Sequence, residues 1–341
     1  MQKELTKGKL LNEEGNLIEA GYSTQLVREY DRKAIKASKW RIKEWDYYYL
    51  GNQDYGVALT IADNSYMTMC SLSFLDFKNG WEITKSQMTW FSFGKLNLPS
   101  TSKEGDLHFK NKVVEMNFVH ENGKRHLTGS YKKFGKNKED VRFDLYLEET
   151  NKDTMVIATP FKKKRHFYYN QKINCLRGAG YLKFGDKFYD FSEDSYGVLD
   201  WGRGVWTYRN TWYWSSLNAI YKGNRIGFNL GYGFGDTSAA SENMFFYNDK
   251  AYKLEDVTFD IPINKHGKDD FLKPWTFRSK AGDINMKFTP VLNRHADTNV
   301  LLIRSNQNQV FGKFSGYVII EGKEIYFDNL LGFAEKVYNK W

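Results

Sequence analysis

The chain has 341 residues, a formal net charge of +9, 17% aromatic residues, 28 glycines and five prolines. That length points to two domains or one large β-rich unit, and a glycine-rich, proline-poor, aromatic-rich composition favours strands and tight turns over helices or disorder. Charged residues make up 27% of the chain with both signs interspersed, which is an ordinary solvated surface, so no nucleic-acid partner is expected.

The first residues, MQKELTKGKLLNEEGN, lack the apolar stretch of a signal peptide, and no window approaches the roughly 18 apolar residues of a membrane span. A cytoplasmic protein with no integral membrane span is the expectation. Cys70 and Cys175 lie far apart and outside any ligand-spaced cluster, and the six histidines form no HxH or HxxxH pair. Neither a metal nor a disulfide framework is expected. The GxSxG, HExxH, P-loop and dinucleotide fingerprints are missing as well, so no cofactor is expected.

Taken in order, Ser23 to Ala37 is the least strand-like stretch and reads as a short helix. A Trp-rich segment follows, from Trp40 to Tyr49. Val114, Met116 and Phe118 precede Glu121-Asn-Gly-Lys124, and Asn-Gly accepts the positive φ angles of a type I′ hairpin turn. Val141 to Glu148 alternates apolar and polar residues as a half-buried strand does. Then come Pro160 and the basic run Lys162-Lys163-Lys164-Arg165, which reads as an exposed connection dividing the chain into residues 1–165 and 166–341.

Further hairpin turns are expected at Phe184-Gly-Asp-Lys187, Tyr221-Lys-Gly-Asn224, Tyr247-Asn-Asp-Lys250 and Ile320-Glu-Gly-Lys323. Many short strands with such turns mean sandwiches or antiparallel barrels, and the length suggests two of them. The last turn before Trp341 reads as a second short helix.

The densest chemistry lies between Asp200 and Asn218, which holds Trp201, Trp206, Trp212 and Trp214 with Arg203. Asp200 among indoles is the candidate general acid, or an anchor for a ligand hydroxyl, and Arg203 the group that orients it; a structural Asp200–Arg203 bridge is the alternative. The four tryptophans either wall a ligand site or pack as core. From Ile226 to Gly235 large apolar residues alternate with Gly or Asn, giving a strand with one crowded and one emptied face. A hollow is expected there, with Asn218, Asn229, Glu242 and Asn243 offering polar contacts. Arg294-His295-Ala-Asp297 and Glu335 are thinner candidates.

The blocks Lys43-Glu-Trp-Asp-Tyr-Tyr48 with Ile61-Ala-Asp63, Phe167-Tyr-Tyr-Asn-Gln-Lys172-Ile-Asn174, Asp200-Trp-Gly-Arg203 with Trp206 and Trp212-Tyr-Trp214, Ser241-Glu-Asn243, Phe311-Gly-Lys-Phe-Ser-Gly316 and Gly332-Phe-Ala-Glu335 together resemble the family called domain of unknown function 2804. That family is distantly similar to AttH proteins, carotenoid hydratases and lipocalin-like pericyclases. The resemblance implies an all-β fold of two consecutive lipocalin-like antiparallel β-barrels with few short helices and a ligand cavity. It transfers Asp200 as an acid. The expected function is binding of a hydrophobic or amphipathic small molecule; the alternatives are a hydratase, isomerase or cyclase acting through Asp200, and carbohydrate binding or hydrolysis. The oligomeric state is left open.

Overall fold

A computed structural model of the chain describes residues 2–121, 123–300 and 303–340, with the side chain of Val300 excluded. Two large curled antiparallel sheets follow one another. The first has 13 strands, with the main path running from the edge strand Trp81–Trp90 through Met67–Asp76, Tyr55–Asp63, Ile42–Gly51, Tyr196–Val205, Phe167–Phe184, Val141–Glu148, Lys124–Tyr131 and Val114–Glu121 to Leu107–Lys110. The second has nine, and its last strand, Lys323–Lys340, returns to pair with its first, Arg209–Tyr221. Glu335 therefore lies beside Trp214 in the sheet.

The strands flanking all five expected turns pair as antiparallel neighbours; Asn122, in the first of these turns, lies outside the described residues. Lys222 and Gly223 sit at φ 50° and 79°, and Glu321 and Gly322 at 50° and 76°, the paired left-handed conformations that suit the twist of a two-residue turn. The strand Val141–Glu148 alternates buried and accessible residues as its sequence dictates.

Three expectations change. Within Ser23 to Ala37 the only helical turn is the 3-10 segment Arg32–Ala34. The chain end is strand rather than helix up to Lys340, because alternating residues of Lys323–Lys340 are claimed by the strands on either side. The basic run Lys162–Arg165 is exposed, but it turns between Met155–Pro160 and Phe167–Phe184, which pair with each other inside the first sheet. The change of sheet comes later, between Val205 and Arg209.

Each sheet wraps its own apolar core, and a third buried cluster fills the seam where the sheets lie back to back. Period-2 alternation deals residues between these environments. On Tyr196–Val205, Leu199, Trp201 and Val205 enter the first core while Val198 enters the seam. A register shift between Ile173 and Leu176, with Cys175 at φ 58°, pushes the strand against the second sheet. There the Asn174 amide donates to Ser216 Oγ and the Phe228 carbonyl, at 2.9 and 3.1 Å. No helix among the described residues is long and apolar enough to cross a membrane.

Candidate active site

Asp200 faces the seam. Its Oδ1 lies 2.8 Å from Lys172 Nζ and accepts from Asn170 Nδ2 at 2.6 Å, both from the neighbouring strand. The Lys172 side chain is 1% exposed and that of Asp200 9%, so the pair is nearly dry but retains an opening on the carboxylate side. Lys172 Nζ stands 4.0 Å from the centre of the Trp214 ring, a cation–π contact strengthened by burial. Trp45 rests over Gly202, one pleat along from Asp200, where any side chain at 202 would strike the indole. Trp45 and Trp212 are only half-buried.

Arg203 does not orient Asp200. Residues three apart on a strand point to opposite faces, and Arg203 enters the first sheet. There it pairs with Asp46 at 3.0 Å and donates to the carbonyls of Trp45, Gly202 and Pro99. Trp201 goes with it, packing edge-on against Tyr30 and Tyr169 under the Arg203 guanidinium. Neither residue lines the seam.

The emptied face of the glycine-alternating strand is filled by its neighbours. At Gly231 the missing side chain leaves room for the Glu242 carboxyl, and at Gly227 for Cys175 Sγ. Asn229 accepts from Trp214 Nε1 at 2.7 Å and donates to the Glu242 carbonyl at 2.8 Å. Asn243 ties the Gly231 amide to the Glu255 carbonyl, which is a structural clamp. Trp206 packs among Trp45, Phe161, Tyr168 and Trp212. The indoles thus form a solid wall beside the acid rather than the lining of a large hollow.

What this filling achieves is a group of carboxyls. Burial holds Glu242 up to about 7, opposed by the positive charge of Lys172 and reinforced by the negative charge of Asp200. Its Oε1 is buried without a hydrogen-bond partner, and Tyr168 reaches Oε2 only at 3.5 Å. Glu335 is also held up to about 7 by burial, against the pull of its hydrogen bond from Trp212 Nε1 at 2.9 Å and of Arg294 and Lys172. Gln309 donates to its other oxygen at 3.2 Å and accepts from Tyr47 OH at 3.3 Å. Two carboxyls that carry a proton near neutrality therefore flank an ion pair, a combination suited to acid–base work. Among the described residues these acids do not converge as metal ligands would.

Asn218 stands apart from this group. It holds the bulge, accepting from the Cys175 amide at 2.8 Å, and lines a cleft of about 370 Å³ with Tyr49, Tyr196, Ile220 and Leu331. Tyr196 is four residues from Asp200 on one strand, so cleft and acid group are about 13 Å apart along the seam. His295 and Asp297 lie on an exposed hairpin, hydrogen-bonded to Asn306.

Sequence reading passed over Lys172, Asn170 and Gln309 as chemistry. The signal lay in Phe167–Phe184, where Tyr168, Asn170, Lys172 and Asn174 alternate with Phe167, Tyr169 and Ile173. A polar row opposite an apolar one normally means a solvated face, yet both faces of this strand are buried.

Fold and seam together define a tandem lipocalin-like fold with an ion pair and two carboxyls buried between its sheets. The chain belongs to the family described as "Domain of unknown function (DUF2804)", which it matches over residues 2–341. Among solved structures it is similar to a Nitrosomonas europaea protein given the name AttH, at 10% identity and a TM-score of 0.55, over 92% of this chain and 98% of that one. Kievitone hydratase from Nectria haematococca is similar at 12% identity and a TM-score of 0.53, over 87% and 88%. At such identities the likeness establishes the fold and not the chemistry. No curated protein matches the sequence.

Proposed function

We propose that the protein binds an apolar or amphipathic small molecule at the seam and transfers a proton to it, as a hydratase or isomerase does. The observation that carries this reading is the burial of two carboxyls, Glu242 and Glu335, beside the Lys172–Asp200 ion pair, which raises both above the usual carboxyl range. Glu242 is the proposed donor in place of Asp200, reached when the seam parts on binding, since its buried Oε1 has no competing partner whereas Glu335 is engaged through both oxygens. Asp200 is the fixed negative charge. Held by Lys172 and Asn170, it stabilises the carbocation character that protonation creates; an added water gives its proton to the Glu242 carboxylate left by the first transfer, which restores the donor. The half-buried indoles of Trp45 and Trp212 would hold the apolar body at the opening beside Asp200. One structure of the same fold carries the name hydratase. Burial of Glu242 argues against two carboxylates across an open groove, as a glycosidase needs.

The test is isotopic. Small molecules extracted from the purified protein are returned to it in deuterated water, and uptake of carbon-bound deuterium is followed by mass spectrometry. Exchange that requires Glu242 and is lost in Glu242→Gln, with the molecule still retained in native spectra, is the expected result. A protein that retains no small molecule, or exchange indifferent to both Glu242→Gln and Asp200→Asn, overturns the reading.

A further inference from the structure

One end of the first sheet presents large rings to water. Trp40 is 52% exposed, Trp90 61% and Phe91 57%. These rings do not sit on a loose loop. Asp63 accepts from Ser92 Oγ at 2.7 Å and from the Gly94 amide at 3.0 Å, and the amides of Phe91 and Phe93 donate to the carbonyls of Tyr66 and Ser65, each at 2.8 Å. Phe91 and Phe93 lie at φ 61° and 48°, a left-handed backbone that bulky side chains adopt only under constraint. Trp40 meets both rings edge-on, at 6.2 and 4.9 Å. The fold therefore holds an apolar wedge outward at a conformational cost, in a place where polar side chains would be cheaper.

Basic groups surround the wedge. Arg41 follows Trp40 and packs on the Tyr208 ring at 5.0 Å, with Lys340 over the same ring at 5.5 Å. The exposed turn Lys162–Arg165 lies at the same end of the sheet: Pro160 before it pairs with Phe167, Phe167 with Val205, and Val205 with Ile42, the residue after Arg41. Two acids, Glu13 and Glu14, occupy the adjoining turn whose Asn16 accepts from the Arg165 amide at 3.2 Å. Against these two stand Arg41, Lys340 and the four basic residues Lys162–Arg165.

We propose that this end of the molecule docks on an anionic lipid bilayer, with Trp40, Trp90 and Phe91 entering the headgroup boundary and Arg41 and Lys162–Arg165 meeting lipid phosphates. Indole and phenyl rings favour that boundary, and a basic rim adds attraction to anionic lipid. Basic residues beside aromatics also describe single-strand nucleic-acid surfaces, but those need open ring faces for successive bases. Here Trp40 and the Phe91–Phe93 pair pack against one another instead. The docking surface stands independently of the proposed chemistry, though Trp40 leads directly into Ile42–Gly51, the strand that carries Trp45 to the Asp200 opening.

The test is co-sedimentation of the full chain with two kinds of vesicle, phosphatidylcholine alone and an equimolar mixture with phosphatidylglycerol. Binding to the mixture, weakening as salt is raised, is expected, with a blue shift of tryptophan emission. Trp40→Ala with Phe91→Ala should lower the partition coefficient at least about tenfold, and Lys163→Glu with Lys164→Glu should remove the salt dependence. Those side chains are exposed, so circular dichroism should be unchanged. Failure of the wild type to bind the mixture, binding indifferent to the ring substitutions, or binding to single-stranded DNA with none to vesicles would each overturn the proposal.

Discussion

Two buried ion pairs sit on opposite faces of the strand Tyr196–Val205, and they are built differently. On the inner face Arg203 uses Nε and both terminal nitrogens on Asp46 and three backbone carbonyls. On the seam face Lys172 has the Asp200 carboxylate and an indole ring, and around it lie two carboxyls raised to about 7. The first arrangement satisfies its donors and leaves nothing to exchange. The second keeps charge, labile protons and an opening together. Burial of charge alone does not separate structure from function; the completeness of hydrogen bonding does.

The contrast is broken most severely on the inner face. Arg203→Ala leaves Asp46 buried beside orphaned carbonyls, and burial already pushes the Asp46 carboxyl up against the pull of Arg203. We expect a loss of about 3 to 5 kcal/mol, read as a shift in urea midpoint, with failure to accumulate folded protein as the extreme. A cost below about 1 kcal/mol would show that the inner pair is not structural.

On the seam face the effect has the opposite sign and depends on pH. A carboxyl raised from 4.5 to about 7 binds its proton in the folded state where the unfolded chain has lost it. Stability from that group is therefore full below about pH 4.5 and declines as pH rises to about 7, after which it is flat. Glu242→Gln removes this share of the decline and leaves that of Glu335. At pH 8 the variant should be more stable than wild type by about 1 to 3 kcal/mol, and near pH 5 the two should converge. Equal pH slopes in parallel thermal melts would contradict a proton on Glu242.

These two faces also mark how far the sequence could be read. Hairpins were legible because turn chemistry is local: Asn-Gly and Lys-Gly dipeptides carry their φ preferences wherever they occur. The fold class followed from strand periodicity and from the family blocks. Placing Arg203 opposite Asp200 was within reach too, given a strand and a spacing of three. The seam was not. Gly227 and Gly231 announce empty space, but what enters it, Cys175 from one sheet and Glu242 from the loop beyond, depends on how two distant surfaces meet. Lys172 carried no sign of its role, because a polar row buried by a second sheet has the same periodicity as one facing water.

Smaller changes at the seam sharpen the comparison. Asp200→Asn keeps the shape and an Oδ1 that accepts from Asn170 and Lys172, while removing the negative charge opposite Lys172. Because Asp200 retains some exposure, the cost should be about 1 to 2 kcal/mol, with ligand retention or turnover altered and circular dichroism unchanged. Unfolding of this variant would move Asp200 into the same class as Arg203.

The smallest expected effect is also the most diagnostic. Trp212→Phe preserves the ring packing against Trp206 and Phe234 but deletes the indole N–H that Glu335 accepts at 2.9 Å. That hydrogen bond is the largest influence holding the Glu335 carboxyl down against burial, so its removal moves the group above about 7 and costs about 1 kcal/mol. The wild type should stop losing stability near pH 7, whereas the variant should continue to lose it at higher pH, since the folded state keeps its proton longer. The protonated carboxyl stretch in the infrared reads the same proton directly. Persistence of that band past pH 7 in the variant alone would show that Trp212 sets the proton affinity of Glu335; identical titrations in both proteins would reduce Trp212 to packing.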